Sequence, residues 1–89
     1  MSKLLLNVAV SPHSYFRVEK DKNSLTAVLK CSWLEKTTTY SKGTPWNQVY
    51  EEYKLYFEKN FSIKLPSKFD RNRMSQAVKQ LEMKQQTLF

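Results

Sequence analysis

The chain has one cysteine, one histidine and one glycine among its 89 residues. Each scarcity excludes something. A lone Cys31 rules out an internal disulfide and a cysteine zinc cluster, and a single thiol suits a reducing compartment. A lone His13 leaves a serine triad, a histidine-paired cysteine nucleophile and a multi-histidine metal site short of parts. Gly43 alone cannot build a phosphate-cradling loop. No long apolar run is present either. The opening SKLLLNVAVS is too short to span a membrane, is interrupted by Asn7 and lacks a signal-peptide layout. Glu51, Glu52, Glu58 and Asp70 could supply carboxylates, but on a helix surface beside lysines they read as solvated charge. The expectation is a soluble cytoplasmic protein, not an enzyme, with no cofactor, no metal and no membrane partner.

What the chain has is aromatics and positive charge. Five Phe, five Tyr and two Trp can fill the modest core of one small domain. The net charge is +7, which points to an acidic partner, nucleic acid being the commonest. Residues 1–43 carry seven Lys or Arg against three acids, residues 44–61 two against three, and residues 62–89 six against two. The basic excess therefore lies on the two flanks of the middle segment.

That middle segment, Thr44 to Phe61, is where helical periodicity is strongest. Trp46, Val49, Tyr50, Tyr53, Tyr56, Phe57 and Asn60 recur at three- and four-residue steps and share one face. Glu51, Glu52, Lys54, Glu58 and Lys59 fall opposite, with Leu55 exposed among them. Thr44 is placed as the N-cap and Pro45 at the first helical position.

Before it, Lys3–Ser11 reads as a strand with Leu4, Leu6, Val8 and Val10 on one face. Ser11-Pro12-His13-Ser14 is a turn. Tyr15–Lys20 is a second strand, and Asp21-Lys22-Asn23 a second turn. Ser24–Glu35 reads as one strand with Leu25, Ala27, Leu29, Cys31 and Trp33 on a common face. Lys36–Tyr40 is β-prone through its threonines and can add a short fourth strand. After the helix, Ser62–Leu65 is a connector, and Pro66 biases Leu65 away from helix. Ser67 is placed as the cap of a second helix, with Asp70 three residues on in a capping-box pattern. Met74, Ala77, Val78 and Leu81 form its apolar stripe. The fold class is α+β: an antiparallel β-meander of three or four strands followed by two α-helices, with residues 1–84 one domain and 85–89 a tail.

Two surfaces suit nucleic acid. The sheet mixes bases and aromatics at Tyr15, Phe16, Arg17, Lys20, Lys22, Lys30, Trp33, Lys36 and Tyr40, the combination that stacks bases and neutralises phosphates of single strands. Arg71, Arg73 and Lys79 on the second helix, with Lys68 before it, could meet a backbone.

The pattern V-Y-E-E-Y-K-x-Y-F-E-K-N, then L-P-S-K, then a basic helix resembles the helical half of winged-helix modules at the ends of phage and plasmid primase-helicases. That resemblance would make Ser67–Lys84 the DNA-facing helix, contacting through Lys68, Arg71, Arg73 and Lys79. It departs from the family in having its strands before the helices and only a few residues where a wing should follow. A sheet followed by a helix also resembles the arm-binding domains of phage-type integrases. Tyr50 and Lys54 give the Y-x-x-x-K spacing of rolling-circle initiators, whose paired-histidine motif is missing here. The last five residues, QQTLF, resemble the peptide by which replication and repair proteins dock on a sliding clamp. There Leu88 and Phe89 would fill an apolar pocket and Gln85 would hydrogen-bond its rim; the other reading is that Leu88 and Phe89 staple the C-terminus to the core.

The functional expectation is a small non-enzymatic DNA-binding accessory protein of a phage, virus or mobile element, in the host cytoplasm. It would bind DNA in preference to RNA and tether to a sliding clamp. The second reading is a phage-encoded protein–protein inhibitor or adaptor that blocks a host nuclease, polymerase or defence complex. Oligomeric state is left open, a homodimer included.

Overall fold

Buried and half-buried residues alternate through Ser14–Lys20 and Ser24–Cys31, and both segments are strands. The computed structural model describes residues 3–84. In chain order these form β1 (Lys3–Ser11), β2 (Ser14–Lys20), β3 (Ser24–Cys31), β4 (Leu34–Ser41), α1 (Trp46–Phe61) and α2 (Arg71–Lys84). The four strands make one antiparallel sheet in the order β1-β2-β3-β4, so the meander has four strands and the fold is α+β as the patterning indicates.

The register sorts side chains cleanly between two faces. Phe16, Leu29 and Lys36 lie in one cross-strand row, Val18, Ala27 and Thr38 in the next, and Lys20, Leu25 and Tyr40 in a third. This face receives the helices. The opposite face carries the rows Tyr15–Lys30–Glu35, Arg17–Val28–Thr37 and Glu19–Thr26–Thr39. β1 is less regular. Bulges between Leu4 and Leu6 and between Ala9 and Ser11 break its alternation, so Leu4, expected on the covered face, is 52% exposed.

The α2 stripe is buried as expected, at Met74, Ala77, Val78 and Leu81, and α1 buries the middle of its expected stripe, Val49, Tyr50, Tyr53 and Phe57; Tyr56 is half-buried, and Trp46 and Asn60, at the two ends, are exposed. Both helices close on Val8, Phe16, Val18, Ala27, Leu29 and Cys31 of the sheet and on Ile63 and Leu65 of the connector. Full burial of each large apolar side chain contributes about 1.5–3 kcal/mol. The Tyr53 hydroxyl donates to the Ala27 carbonyl at 3.1 Å and lies 3.0 Å from the Thr38 hydroxyl, which fixes α1 over β3 and β4. The Tyr50 hydroxyl donates to the Pro66 carbonyl at 2.5 Å.

Three boundaries differ from the sequence expectation, each for a local reason. The long strand Ser24–Glu35 is two strands, because Ser32 and Trp33 form a two-residue turn. Trp33 therefore leaves the core row; its indole Nε1 donates to the Leu81 carbonyl at 2.9 Å and its ring meets Phe61 edge-on. Thr44 does not cap α1. Its hydroxyl and N–H bond to Ser41, and Pro45, extended at ψ 148°, is the residue before the first turn, with no side-chain cap. Ser67 does not cap α2 either. Asp70 Oδ1 accepts the N–H groups of Asn72 at 2.9 Å and Arg73 at 3.1 Å, a carboxylate at the positive end of a helix.

Candidate nucleic-acid interface

The basic and aromatic residues that share the sheet in sequence are divided by it in space. Tyr15, Arg17 and Lys30 lie on the helix-free face, where the Arg17 guanidinium stacks over the Tyr15 ring at 4.4 Å. Glu19 and Glu35 lie on that face too, Glu35 directly opposite Lys30, so its charges balance. Phe16 is fully buried and offers no stacking surface. Lys36 and Tyr40 turn toward α1. The Lys36 ammonium sits 4.7 Å over the Tyr56 ring, and the Tyr40 hydroxyl donates to Glu52 at 3.5 Å. Burial, then the Glu52 charge, pushes Tyr40 up to about 12. Lys20 and Lys22 fall at the β2–β3 end of the sheet, Lys20 in the same cross-strand row as Tyr40 but two strands from it. Exposed His13 occupies the β1–β2 turn at the other end.

The second-helix set stays together. Arg71, Asn72, Arg73, Gln76, Lys79 and Gln80 are exposed along α2, a series of cations and amides without an acid. Lys68 is exposed just before it. α1 has the opposite bias, with Glu51, Glu52 and Glu58 exposed on its outer side. Arg71 is not simply a surface charge, since its Nη1 donates to the Asn7 carbonyl at 2.8 Å and ties the start of α2 to β1.

Between the start of α1, the segment before α2 and the Lys20 end of the sheet lies a cleft of about 390 Å³. Leu6, Val18, Leu25 and Val49 line it, Trp46 and Phe69 add aromatic surface with their rings at 76°, and Lys20 and Lys42 are its charged lining residues. Leu5 and Leu6 both line it although they are neighbours in a strand; the bulge is what brings both to one side. Leu5 is 50% exposed and Trp46 40%.

Sequence reasoning misses this cleft. It places Trp46 on the core face, does not single out Lys42, and treats Leu4-Leu5-Leu6 as regular strand. Three consecutive leucines are the available signal, because regular alternation cannot bury all of them on one face. It also misses Glu82. That carboxylate accepts the hydroxyl of fully buried Ser14 and both the hydroxyl and the N–H of Ser32, and those bonds, Ser14's first, hold it below the usual carboxylate range.

Gln85, Leu88 and Phe89, the clamp-peptide residues, lie outside the described residues. Among the described residues no helix is long and apolar enough to cross a membrane, and no three His, Cys, Asp or Glu side chains gather as metal ligands. Comparison of the chain with family models, curated proteins and solved structures gives no match.

Proposed function

We propose that the protein is a small DNA-binding accessory factor that prefers single strands and performs no catalysis. The observation that carries this reading is the difference in exposed charge between the two helices: α2 exposes Arg71, Arg73 and Lys79 with no exposed acid and follows exposed Lys68, the exposed Asp70 between them being engaged by the α2 N–H groups, while α1 exposes Glu51, Glu52 and Glu58. A surface of that kind neutralises phosphates, and its cations are held on a rigid helix at fixed spacing. The sheet's helix-free face supports it less well, since its charges balance.

The test is fluorescence anisotropy with a labelled single strand and a labelled duplex across a salt series. The expected result is tighter binding of the single strand, with log K falling by roughly 0.7 per phosphate contact for each unit of log salt. Absence of binding to either nucleic acid at low salt overturns the reading. The basic surface would then face an acidic protein, and capture of such a partner with a shallow salt dependence would mark the inhibitor or adaptor class instead.

A further inference from the structure

The cleft at the Lys20 end of the sheet is built, and the charge pattern on α2 does not account for it. Core packing normally closes such spaces, because an unfilled void forfeits dispersion attraction on every side. Here the β1 bulge turns Leu5 toward the opening, and α1 begins with a tryptophan left 40% exposed rather than a polar residue. Bulges recur where a side chain must be re-aimed beside a binding site. At about 390 Å³ the cleft falls in the lower part of the range for small-ligand sites.

We infer that this cleft takes one unstacked nucleobase of a single strand, its ring against Trp46 and its flanking phosphates on Lys20 and Lys42. The inference rests on the nucleic-acid reading above and names the part of the strand that the protein grips. Chemistry selects the occupant. The lining is apolar and aromatic, which suits the face of a planar ring, and its charged groups are both cations. Lys3 stands opposite Lys20 in the β1–β2 register, and exposed Lys22 lies two residues beyond, so further positive charge borders the opening. Of the acids near the lining residues in the chain, Glu19 beside Lys20 lies on the helix-free face of the sheet and Glu51 is exposed on the outer side of α1; two more are engaged. Asp70, next to Phe69, is engaged by the α2 N–H groups, and Asp21, in the β2–β3 turn, accepts the Lys22 N–H at 2.7 Å. The cleft also joins the basic surface already described: Phe69 lines it, Lys68 precedes that ring, and Arg71 follows two residues later. A strand can therefore run from α2 past Phe69 and leave a base in the cleft. A duplex cannot do so without extruding one, which gives the single-strand preference a structural cause.

The experiment compares two ten-nucleotide strands of equal charge, oligo-dT and the same backbone with every base removed. Trp46 fluorescence and anisotropy are read for the unaltered protein, Trp46→Ala and Lys20→Glu/Lys42→Glu. Trp33, at the opposite end of β4, remains as internal reference. The expected results are saturable quenching of Trp46 by oligo-dT and binding of the abasic strand weaker by roughly tenfold or more. Trp46→Ala, with its far-UV spectrum retained, is expected to bind both strands alike. Lys20→Glu/Lys42→Glu keeps the aromatic wall and is expected to weaken both strands.

If both strands bind the unaltered protein equally and Trp46→Ala changes nothing, the cleft proposal is overturned while DNA binding by α2 stands. If neither strand binds, both readings fall. Quenching by decanoate without quenching by oligo-dT overturns the base proposal and reassigns the cleft to an anionic amphiphile.

Discussion

Ser32 and Glu82 lie 50 positions apart, yet the Ser32 N–H donates to Glu82 Oε1 at 3.0 Å and its hydroxyl bonds Oε2. Ser14 donates to the same carboxylate from the other turn at that end of the sheet. One side chain near the end of α2 thus fastens both the β1–β2 and the β3–β4 turns. A carboxylate near a helix C-terminus runs against the helix dipole, so the donors from the sheet account for its placement.

Glu82→Ala leaves the fully buried Ser14 hydroxyl without its acceptor, an expected loss of about 1–3 kcal/mol in urea unfolding. Glu82→Gln keeps the shape and loses the charge. Because the folded carboxyl titrates below its ordinary value of 4.5, its contribution is complete above that value and disappears as pH falls through the lower folded one. The gap in stability between the unaltered protein and Glu82→Gln should therefore be full at neutral pH and narrow progressively below about pH 4.5. A gap that stays constant down to about pH 3 would show that the carboxylate's charge adds nothing.

Ser62 ends α1 in the left-handed region at φ 57°, with its N–H on the Glu58 carbonyl and the Ile63 N–H on Phe57. Glycine adopts that backbone without the Cβ clash a serine incurs, although it loses more entropy on folding. Ser62→Gly is expected to raise unfolding free energy by about 0.5–1 kcal/mol, and Ser62→Val to lower it. Thermal unfolding of the two variants side by side checks the sign.

The elements whose pattern matches one strong period are legible without the structure. The middle of the α1 stripe, from Val49 to Phe57, and the α2 stripe from Met74 to Leu81 pack as their spacing indicates, and β2 is a strand as read. The boundaries that differ share a cause: a residue type that suits two roles. Trp33 fits a strand face as well as a turn, and only its bond to the Leu81 carbonyl, set by tertiary packing, decides. Ser67 and Asp70 both suit a cap, and the helix starts after the one whose oxygen reaches the free N–H groups.

The candidate interface is less legible, because a string of lysines carries no information about which face each occupies. Arg17 and Lys36 fall on opposite sides of the sheet through strand parity alone. The cleft depends on a bulge, which inverts parity locally, and the only hint of it in the chain is the run Leu4-Leu5-Leu6, which regular alternation cannot bury on one face.

Cys31 is 2% exposed at the end of β3. Burial chiefly, with the Glu82 charge adding to it, pushes the thiol up, so little thiolate forms near neutrality. The folded protein should react with a disulfide reagent at neutral pH at least roughly a hundredfold more slowly than the protein in denaturant. Equal rates would place the thiol at the surface and contradict the packing of β3.

Arg71 and Arg73 stand on the same turn of α2 but should not behave alike. Arg71 holds the Asn7 carbonyl on β1, so Arg71→Glu is expected to lower thermal stability as well as any binding. The side chains of Arg73 and Lys79 are exposed, and among the described residues no ion pair ties either to the fold. Arg73→Glu/Lys79→Glu should unfold within about 0.5 kcal/mol of the unaltered protein. Its log K against log salt slope on a single strand should be shallower by about 1.4, the share of two phosphates no longer neutralised. Net charge alone could produce a weaker version of that result. Lys54→Glu/Lys59→Glu imposes the same charge change on α1, whose outer side already exposes Glu51, Glu52 and Glu58. If α2 is the surface that meets the strand, the α1 pair keeps the full slope and loses little affinity. If both pairs weaken binding equally, long-range attraction by the whole +7 chain explains it and α2 has no special part.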